Sequence, residues 1–274
     1  MKILTLNVHA WAEENQRTKI SQLADFINTH QFDIISMQEV NQPIQETALT
    51  QEELQTYRAT EADVTIKKDN YAHVLLQQLT ETYYWTWIPT HIGFRTYDEG
   101  LAILSRTPIT RSFGEYVSHM RDYNNYRTRK IVGIETTLEG ESTSTWFVNG
   151  HYNWWDDAQE PFKGQWDLTE RVLTPYMHQP LYLMGDFNNV AEIRGQGYDY
   201  MMEHGWNDLY TTAEQKDDGA TVVKAIAGWA NNEQPLRIDY IFSNRPVQAQ
   251  TSNVVLNGKK GPVVSDHFGV AVEI

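Results

Sequence analysis

Lys2-Ile3-Leu4-Thr5-Leu6-Asn7-Val8 opens the chain with apolar Ile3, Leu4, Leu6 and Val8, and reads as a strand. Asp33-Ile34-Ile35-Ser36-Met37-Gln38-Glu39-Val40 reads as a second. Between them Ile20, Leu23, Ala24 and Ile27 recur at the i, i+3, i+4, i+7 spacing of a helix with one apolar face. Strand, helix and strand in succession favour a parallel pair joined by a right-handed crossover. The chain therefore begins as an α/β protein.

Outward from that unit the pattern stays mixed. Strand-like runs occur at Tyr84–Pro89, Gly100–Ser105, Lys130–Thr137, Thr145–Tyr152, Leu181–Phe187, Arg237–Phe242, Asn253–Leu256 and Phe268–Ile274. Helical signals are fewer: Val74, Leu75 and Leu79, and the stretch Phe162–Met177 after Pro161, a residue suited to a first helical turn. Residues 41–69 form a polar excursion with room for a short helix, of a length that usually marks a functional or mobile loop. No repeat, linker tract or composition shift divides the chain, so one domain over residues 1–274 is expected. Many strands with a few amphipathic helices suggest two packed sheets flanked by helices.

The 274 residues carry 36 acidic and 22 basic side chains, a formal charge of −14. Phosphate neutralisation supplies most non-specific affinity for nucleic acid, so a duplex-scanning protein normally has a basic footprint. This chain would repel a polyanion at long range, which disfavours nucleic acid as a partner. A small phosphorylated metabolite is easier to accommodate. The absence of cysteine removes disulfides, thiolate nucleophiles and zinc–thiolate sites. The short apolar start lacks the form of a signal peptide, and no window approaches the ~20 apolar residues of a membrane helix. The cytoplasm is the expected compartment.

The polar residues sit at informative places. Asn7 follows Leu4-Thr5-Leu6, Gln38-Glu39 ends Ile34–Met37, and Glu99 precedes Gly100–Leu104. His151 follows Trp146–Gly150, Asp186-Phe187-Asn188 ends Leu181–Gly185, Asp239 lies within Arg237–Phe242, and Asp266-His267 opens the last strand. Burying so many ionisable groups at strand ends costs stability unless metals and hydrogen bonds compensate. Mg²⁺ and Mn²⁺ are hard cations that prefer such carboxylate and amide oxygens. Phosphoester hydrolysis needs charge neutralisation and a positioned water. Metal on Glu39, with Asn7 and Asp266 nearby, would polarise the phosphoryl group. Asp186 would orient and deprotonate the water, and the Asn188 amide would donate to a phosphate oxygen. Histidines with carboxylate partners stay protonated near neutral pH; Glu99 with His151 and Asp239 with His267 are the expected pairs.

In order, Thr5-Leu6-Asn7, Gln38-Glu39, Glu99-Gly100-Leu101-Ala102-Ile103-Leu104-Ser105, Asn149-Gly150-His151, Gly185-Asp186-Phe187-Asn188, Arg237-Ile238-Asp239-Tyr240-Ile241 and Ser265-Asp266-His267 resemble the motifs of the endonuclease/exonuclease/phosphatase superfamily, the deoxyribonuclease-I-like fold. Gly-Asp-Phe-Asn alone is moderately specific and Ser-Asp-His weak, but the ordered set runs from residue 5 to residue 267. The resemblance implies a four-layer α/β sandwich, two mixed, mainly antiparallel sheets face to face with helices outside. It also implies Glu39 as the main metal ligand, Asp186 and Asn188 around nucleophile and phosphate, and His151 and His267 on phosphate oxygens. The general base stays open between Asp186 and the Asp239–His267 pair.

Each residue alone has a plainer reading. A strand-end Glu is usually solvated, Asp-Phe-Asn is common turn chemistry, His151 could simply be packed, and Arg237 beside Asp239 reads as a structural ion pair. The ordered set outweighs these for the motif residues. His9, two residues past Asn7, would approach the site if the strand continued. Tyr123, Tyr126, Trp154, Trp155, Trp166 and Trp229 crowd the expected rim, where aromatic rings either wedge loops or stack on a sugar. Trp154 and Trp155, just past His151, are expected near substrate. Arg129, in the cluster Arg127, Arg129, Lys130, is expected on the phosphate because its fork matches phosphate geometry.

Residues 6–16, Gln38-Glu39-Val40-Asn41-Gln42 and Gly150-His151-Tyr152-Asn153-Trp154-Trp155 further resemble a bacterial subgroup that contains the maltose 6′-phosphate phosphatase. That resemblance implies a Mg²⁺- or Mn²⁺-dependent phosphatase of carbohydrate metabolism acting on a phosphorylated sugar, maltose 6′-phosphate or a similar disaccharide phosphate. The alternatives are a phosphodiesterase, nuclease or sphingomyelinase-like hydrolase and, more remotely, a non-catalytic binding module. Every acid, amide and histidine position of the motif set is filled, which argues against the last.

Overall fold

The computed structural model describes residues 1–61, 64–226, 228–229 and 234–274. Alternation along the strands sets its layers. Strand β1 (Lys2–Asn7) turns Leu4 and Leu6 to one face, where they pack on Ile20, Leu23, Ala24 and Ile27 of helix α1 (Gln16–His30). Its other face carries Ile3, which meets Phe147, Met184 and Ile241 of a second sheet. Full burial of each such side chain contributes about 1.5–3 kcal/mol. Strand β2 (Ile34–Gln38) pairs with β1 in parallel, as the strand–helix–strand pattern predicts.

The first sheet has eight strands. Beyond β1 and β2 it holds β3 (Gln42–Pro43), β4 (Tyr84–Gly93), β5 (Tyr97–Ser105), β11 (Gln215–Lys216), β13 (Thr251–Val255) and β14 (Gly269–Glu273). Its order is β11-β13-β14-β1-β2-β5-β3, with β4 also paired to β5. The second sheet runs β10 (Asn207–Asp208), β12 (Asp239–Ser243), β9 (Leu181–Asp186), β8 (Thr145–His151), β7 (Lys130–Thr136), β6 (Arg111–Tyr116). Phe162, Trp166 and Leu173 of helix α3 (Phe162–Leu173) cover its outer face against Trp146, Val148, Leu181 and Phe242. Helix, sheet, sheet, helix make the four-layer α/β sandwich.

Several elements differ from the sequence reading. The helix expected over Phe162–Met177 ends at Leu173 and continues as a 3-10 turn, Thr174–Tyr176, around Pro175, which has no N–H for the helical ladder. Pro161 caps that helix rather than entering it. Helix α2 (Tyr71–Leu76) stops short of Leu79; its start is secured by the Asn70 side chain, which accepts from the Ala72 and His73 N–H groups. Residues 41–61 and 64–69 hold β3 and turns but no helix. Strand β6 and helices α4 (Gly197–Glu203) and α5 (Leu209–Thr212) had no clear sequence signal. Among the described residues no helix is long and apolar enough to cross a membrane.

Candidate active site

The inward face of both sheets changes from apolar to polar along its length. On β1 the inward residues run Ile3, Thr5, Asn7; on β2, Ile34, Ser36, Gln38; on β8, Phe147, Asn149, His151; on β9, Tyr182, Met184, Asp186. Antiparallel β5 and β12 bring their opposite ends to the same place, with Glu99 near the start of one and Asp239 opening the other. The strands therefore deliver their polar ends to one edge of the sandwich, around a cleft of about 620 Å³.

Asn7 bridges the two sheets there, its Nδ2 donating to Glu39 Oε1 at 2.9 Å and to Asp186 Oδ2 at 3.1 Å. Asp186 stands opposite His151 in the parallel β8–β9 register, with His151 Nε2 at 3.6 Å from its Oδ2. That register depends on Gly185, whose φ of 145° is closed to other residues and whose added Cβ would lie 1.9 Å from the Gly150 carbonyl oxygen. The Asn188 N–H caps Asp186 Oδ1 at 2.9 Å. His267 lies between two acids, its Nδ1 3.0 Å from Asp239 Oδ2 and its Nε2 3.7 Å from Asp186 Oδ2. His9, Glu39 and Asn188, all lining the cleft, have left-handed backbones at φ 42°, 53° and 50°. Such conformations cost about 1–3 kcal/mol each and gather where function demands them.

Electrostatics follow from this packing. Burial, then Glu99, pushes the Glu39 carboxyl up to about 7. Burial, then Asp239, does the same to Asp186, also to about 7. Burial would lower His267, but Asp239 and Asp186 overcome it and raise the imidazole to about 10. His151 is held well below its ordinary value by burial and by Arg129. The oxygen donors on Glu39, Asp186 and Asp266, with the Asn7 amide beside them, fit a hard divalent cation. Among the described residues two acid–histidine trios have ligand atoms within 4.8 Å of one another: His9, Glu13, Asp266, and Asp186, Asp239, His267. In the second, His267 sits as a cation between the carboxylates.

The structure brings together Asn7, Glu39, Glu99, Arg129, His151, Asp186, Asn188, Asp239, Asp266 and His267. The expected Asp239–His267 pair is present, and the expected Glu99–His151 pair is not. Glu99 pairs instead with His91, Oε1 to Nε2 at 3.2 Å, and His151 turns to Asp186 and to Asn188 Nδ2 at 3.3 Å. Glu99 therefore gives His151 no support, and burial with Arg129 keeps the imidazole well below its ordinary value. Arg237 does not pair with Asp239; it binds Asp208 Oδ2 at 2.6 Å amid Tyr198, Tyr210 and Tyr240. Both amide hydrogens of Asn188 are engaged, by the Tyr152 carbonyl oxygen and by His151, and its Oδ1 accepts from Trp229 Nε1. Arg129 Nε donates to Asn153 Oδ1 at 2.8 Å on the cleft wall, while Arg127 and Lys130 are engaged by Asp157 and Glu61.

Of the rim aromatics, Tyr126 and Trp154 line the cleft, together with exposed Phe94 at the tip of the β4–β5 hairpin. Trp155 points to the outer layer, its ring 6.0 Å from Tyr200 and 6.4 Å from Phe162, and borders an adjoining recess instead. Trp166 is core. His9 reaches the cleft by a left-handed turn after β1, not by a continued strand, and bonds Glu13 at 2.8 Å.

This chain belongs to the endonuclease/exonuclease/phosphatase family, whose model matches residues 5–267. It is similar over 100% of its length, and 99% of the other chain, to an endonuclease/exonuclease/phosphatase family protein from Leptotrichia buccalis, with 37% identity and a TM-score of 0.86. Two more distant likenesses bear on the fold alone. One is a mannosyl-6-phosphatase from Bacteroides thetaiotaomicron, 16% identical with a TM-score of 0.68, covering 100% of this chain and 98% of that one. The other is beta toxin from Staphylococcus aureus with bound magnesium ions, 14% identical with a TM-score of 0.67, covering 99% and 98%. No curated protein matches the chain.

Proposed function

We propose that this protein is a Mg²⁺- or Mn²⁺-dependent phosphomonoesterase of the cytoplasm acting on a phosphorylated sugar, maltose 6′-phosphate or a similar disaccharide phosphate. The observation that carries the reading is the make-up of one cleft: acid oxygens at Glu39 and Asp266 with the Asn7 amide bonded to Glu39 behind them, cationic Arg129 and His267, and the rings of Phe94, Tyr126 and Trp154. The first set suits a cation, the second a phosphate, the third the C–H face of a sugar ring. Fold neighbours described as a mannosyl-6-phosphatase and as carrying magnesium fit this reading, as does the net charge of −14, which disfavours polyanions.

The residues divide the work as follows. A divalent cation held by Glu39, Asp266 and the Asn7 amide would offset the phosphoryl charge and polarise its oxygens. Asp186, raised to about 7, is a carboxylate poised to take a proton from water near neutral pH. His267 is already protonated there, so it serves as a donor to a phosphate oxygen and not as the base. Arg129 presents a fixed cation to the same group. Of the two bases left open by sequence, this geometry favours Asp186.

The test is phosphate release from a panel of mono- and disaccharide phosphates with Mg²⁺ or Mn²⁺, run beside bis(4-nitrophenyl) phosphate, short oligonucleotides and sphingomyelin. A sugar phosphate should be cleaved fastest. Faster hydrolysis of any diester than of every sugar phosphate would assign the cleft to a phosphodiesterase.

A further inference from the structure

His91 has no place in the sequence motifs, and strand periodicity alone would hide it. Along β4, Trp85 and Trp87 face the α1 layer while Ile88 faces the opposite sheet. Odd-numbered residues thus point outward, and His91 would follow them. The register shifts between Pro89 and His91, however, so that His91 pairs with Glu99 directly. A bulge of this kind moves a side chain to the other face of its strand. Here it buries His91 (2% exposed) beside Glu99 at the cleft.

The contacts of Thr90 place a proton on His91 Nδ1. The Thr90 hydroxyl donates to the Glu99 carbonyl oxygen at 3.0 Å, because a carbonyl can only accept. Thr90 Oγ1 must then accept from His91 Nδ1, also 3.0 Å away. With Nδ1 carrying a proton, Nε2 and Glu99 Oε1 face each other at 3.2 Å and need one more proton between them. Without it, a lone pair would confront a carboxylate.

We infer that Glu99 and His91 form the proton donor to the leaving-group oxygen, with Glu99 toward the substrate and His91 as the positioning residue that holds its proton. This rests on the phosphomonoesterase reading above. In-line displacement places nucleophile and leaving group on opposite sides of phosphorus. Asp186 belongs to the second sheet. The pair belongs to the first, beneath the β4–β5 hairpin, where Gly93 abuts Glu99 and Phe94 and Arg95 reach the mouth. In the balanced step, water oxygen bonds to phosphorus as its proton passes to Asp186. The ester P–O bond breaks with its electron pair on the sugar oxygen, and that oxygen takes the proton held by Glu99 and His91. Solvent exchange then moves a proton from Asp186 back to the pair.

A proton donor matters for an alkoxide leaving group and little for a stable phenolate, so leaving-group dependence separates this role from a structural one. The full-length protein with Mg²⁺, and its His91→Ala, His91→Gln and Glu99→Gln variants, are compared on 4-nitrophenyl phosphate and on the best sugar phosphate of the panel. Thermal melting selects the variants that fold. We expect kcat on the sugar phosphate to fall about 100-fold in folded variants, while 4-nitrophenyl phosphate turnover changes only a few-fold. Equal losses on both substrates in the folded variants overturn the inference. A wild-type protein that cleaves neither monoester overturns the phosphomonoesterase reading itself, a different and recognisable result.

Discussion

His267 Nδ1 lies 3.0 Å from Asp239 Oδ2, and Asp239 is the group that chiefly keeps the imidazole charged. Because the pair raises the histidine to about 10, the imidazolium persists through neutral pH. Asp239→Asn removes that support and returns His267 toward its ordinary range near 6.5. Activity should then decline from about pH 6 to about pH 8, where the wild type holds its cationic donor. A pH–rate profile checks this. A loss of equal size at every pH would mean that Asp239 acts by some route other than the charge of His267.

Stability without metal should also depend on pH. Glu39 and Asp186 bind protons more tightly when folded, both at about 7, than at their ordinary values of 4.5 and 3.8. Their contribution to stability is present below those lower values and is lost as pH rises through about 7. His267 has the same sign, lost between its ordinary value and about 10. The Tm of chelator-treated protein should therefore fall between about pH 5 and about pH 8, and Mg²⁺ should restore it most at the upper end, since cations bind the ionised acids. A metal-independent Tm across that range would contradict the cation site.

The two neighbouring tryptophans should part ways. Trp154 lines the cleft, so Trp154→Ala should raise KM roughly five-fold, the equivalent of losing about 1 kcal/mol of ring stacking. Trp155 packs toward Phe162 and Tyr200, so Trp155→Ala should lower Tm with KM little changed. Steady-state kinetics with a melting curve for each variant separates the outcomes, and equal KM effects would move Trp155 into the substrate's reach.

Gly185→Ala should be the most damaging small change. The added methyl meets the Gly150 carbonyl at 1.9 Å, and backbone cannot step aside as a side chain can. A loss on the order of 3 kcal/mol or more is expected. Since Gly185 precedes Asp186, kcat should also drop in any protein that folds at low temperature. Chemical denaturation measures the first effect, and wild-type stability would show that the strands can separate freely.

Much of this site was readable from sequence because its residues sit at strand ends. Where period-two alternation meets a polar residue, as at Asn7, His151 or Asp186, the sheet itself dictates the direction of the side chain. Partnerships were less readable. The sequence points Glu99 to His151 because nothing in it marks the irregularity near Pro89 that delivers His91 instead. It points Arg237 to its near neighbour Asp239, whereas the partner Asp208 belongs to a two-residue strand too short for any periodicity. Trp154 and Trp155 adjoin in sequence, yet adjacent residues in a turn diverge, and only one reaches the cleft.

Midway between sheet core and cleft, Gln38 Nε2 donates to Asn149 Oδ1 at 2.7 Å, and Asn149 Nδ2 donates in turn to the Met37 and Ala102 carbonyl oxygens at 2.7 and 2.9 Å. Asn149 belongs to one sheet and all its acceptors to the other, so this buried amide works as a dowel driven through both boards of the sandwich. Apolar layers alone could slide past one another by a fraction of a side chain; a dowelled joint has one seating. The chemistry is divided between the boards, with Glu39 and Glu99 on one and His151 and Asp186 on the other. Their spacing is therefore cut into the frame before any ligand arrives, leaving adjustment to the loops that carry Phe94 and Tyr126.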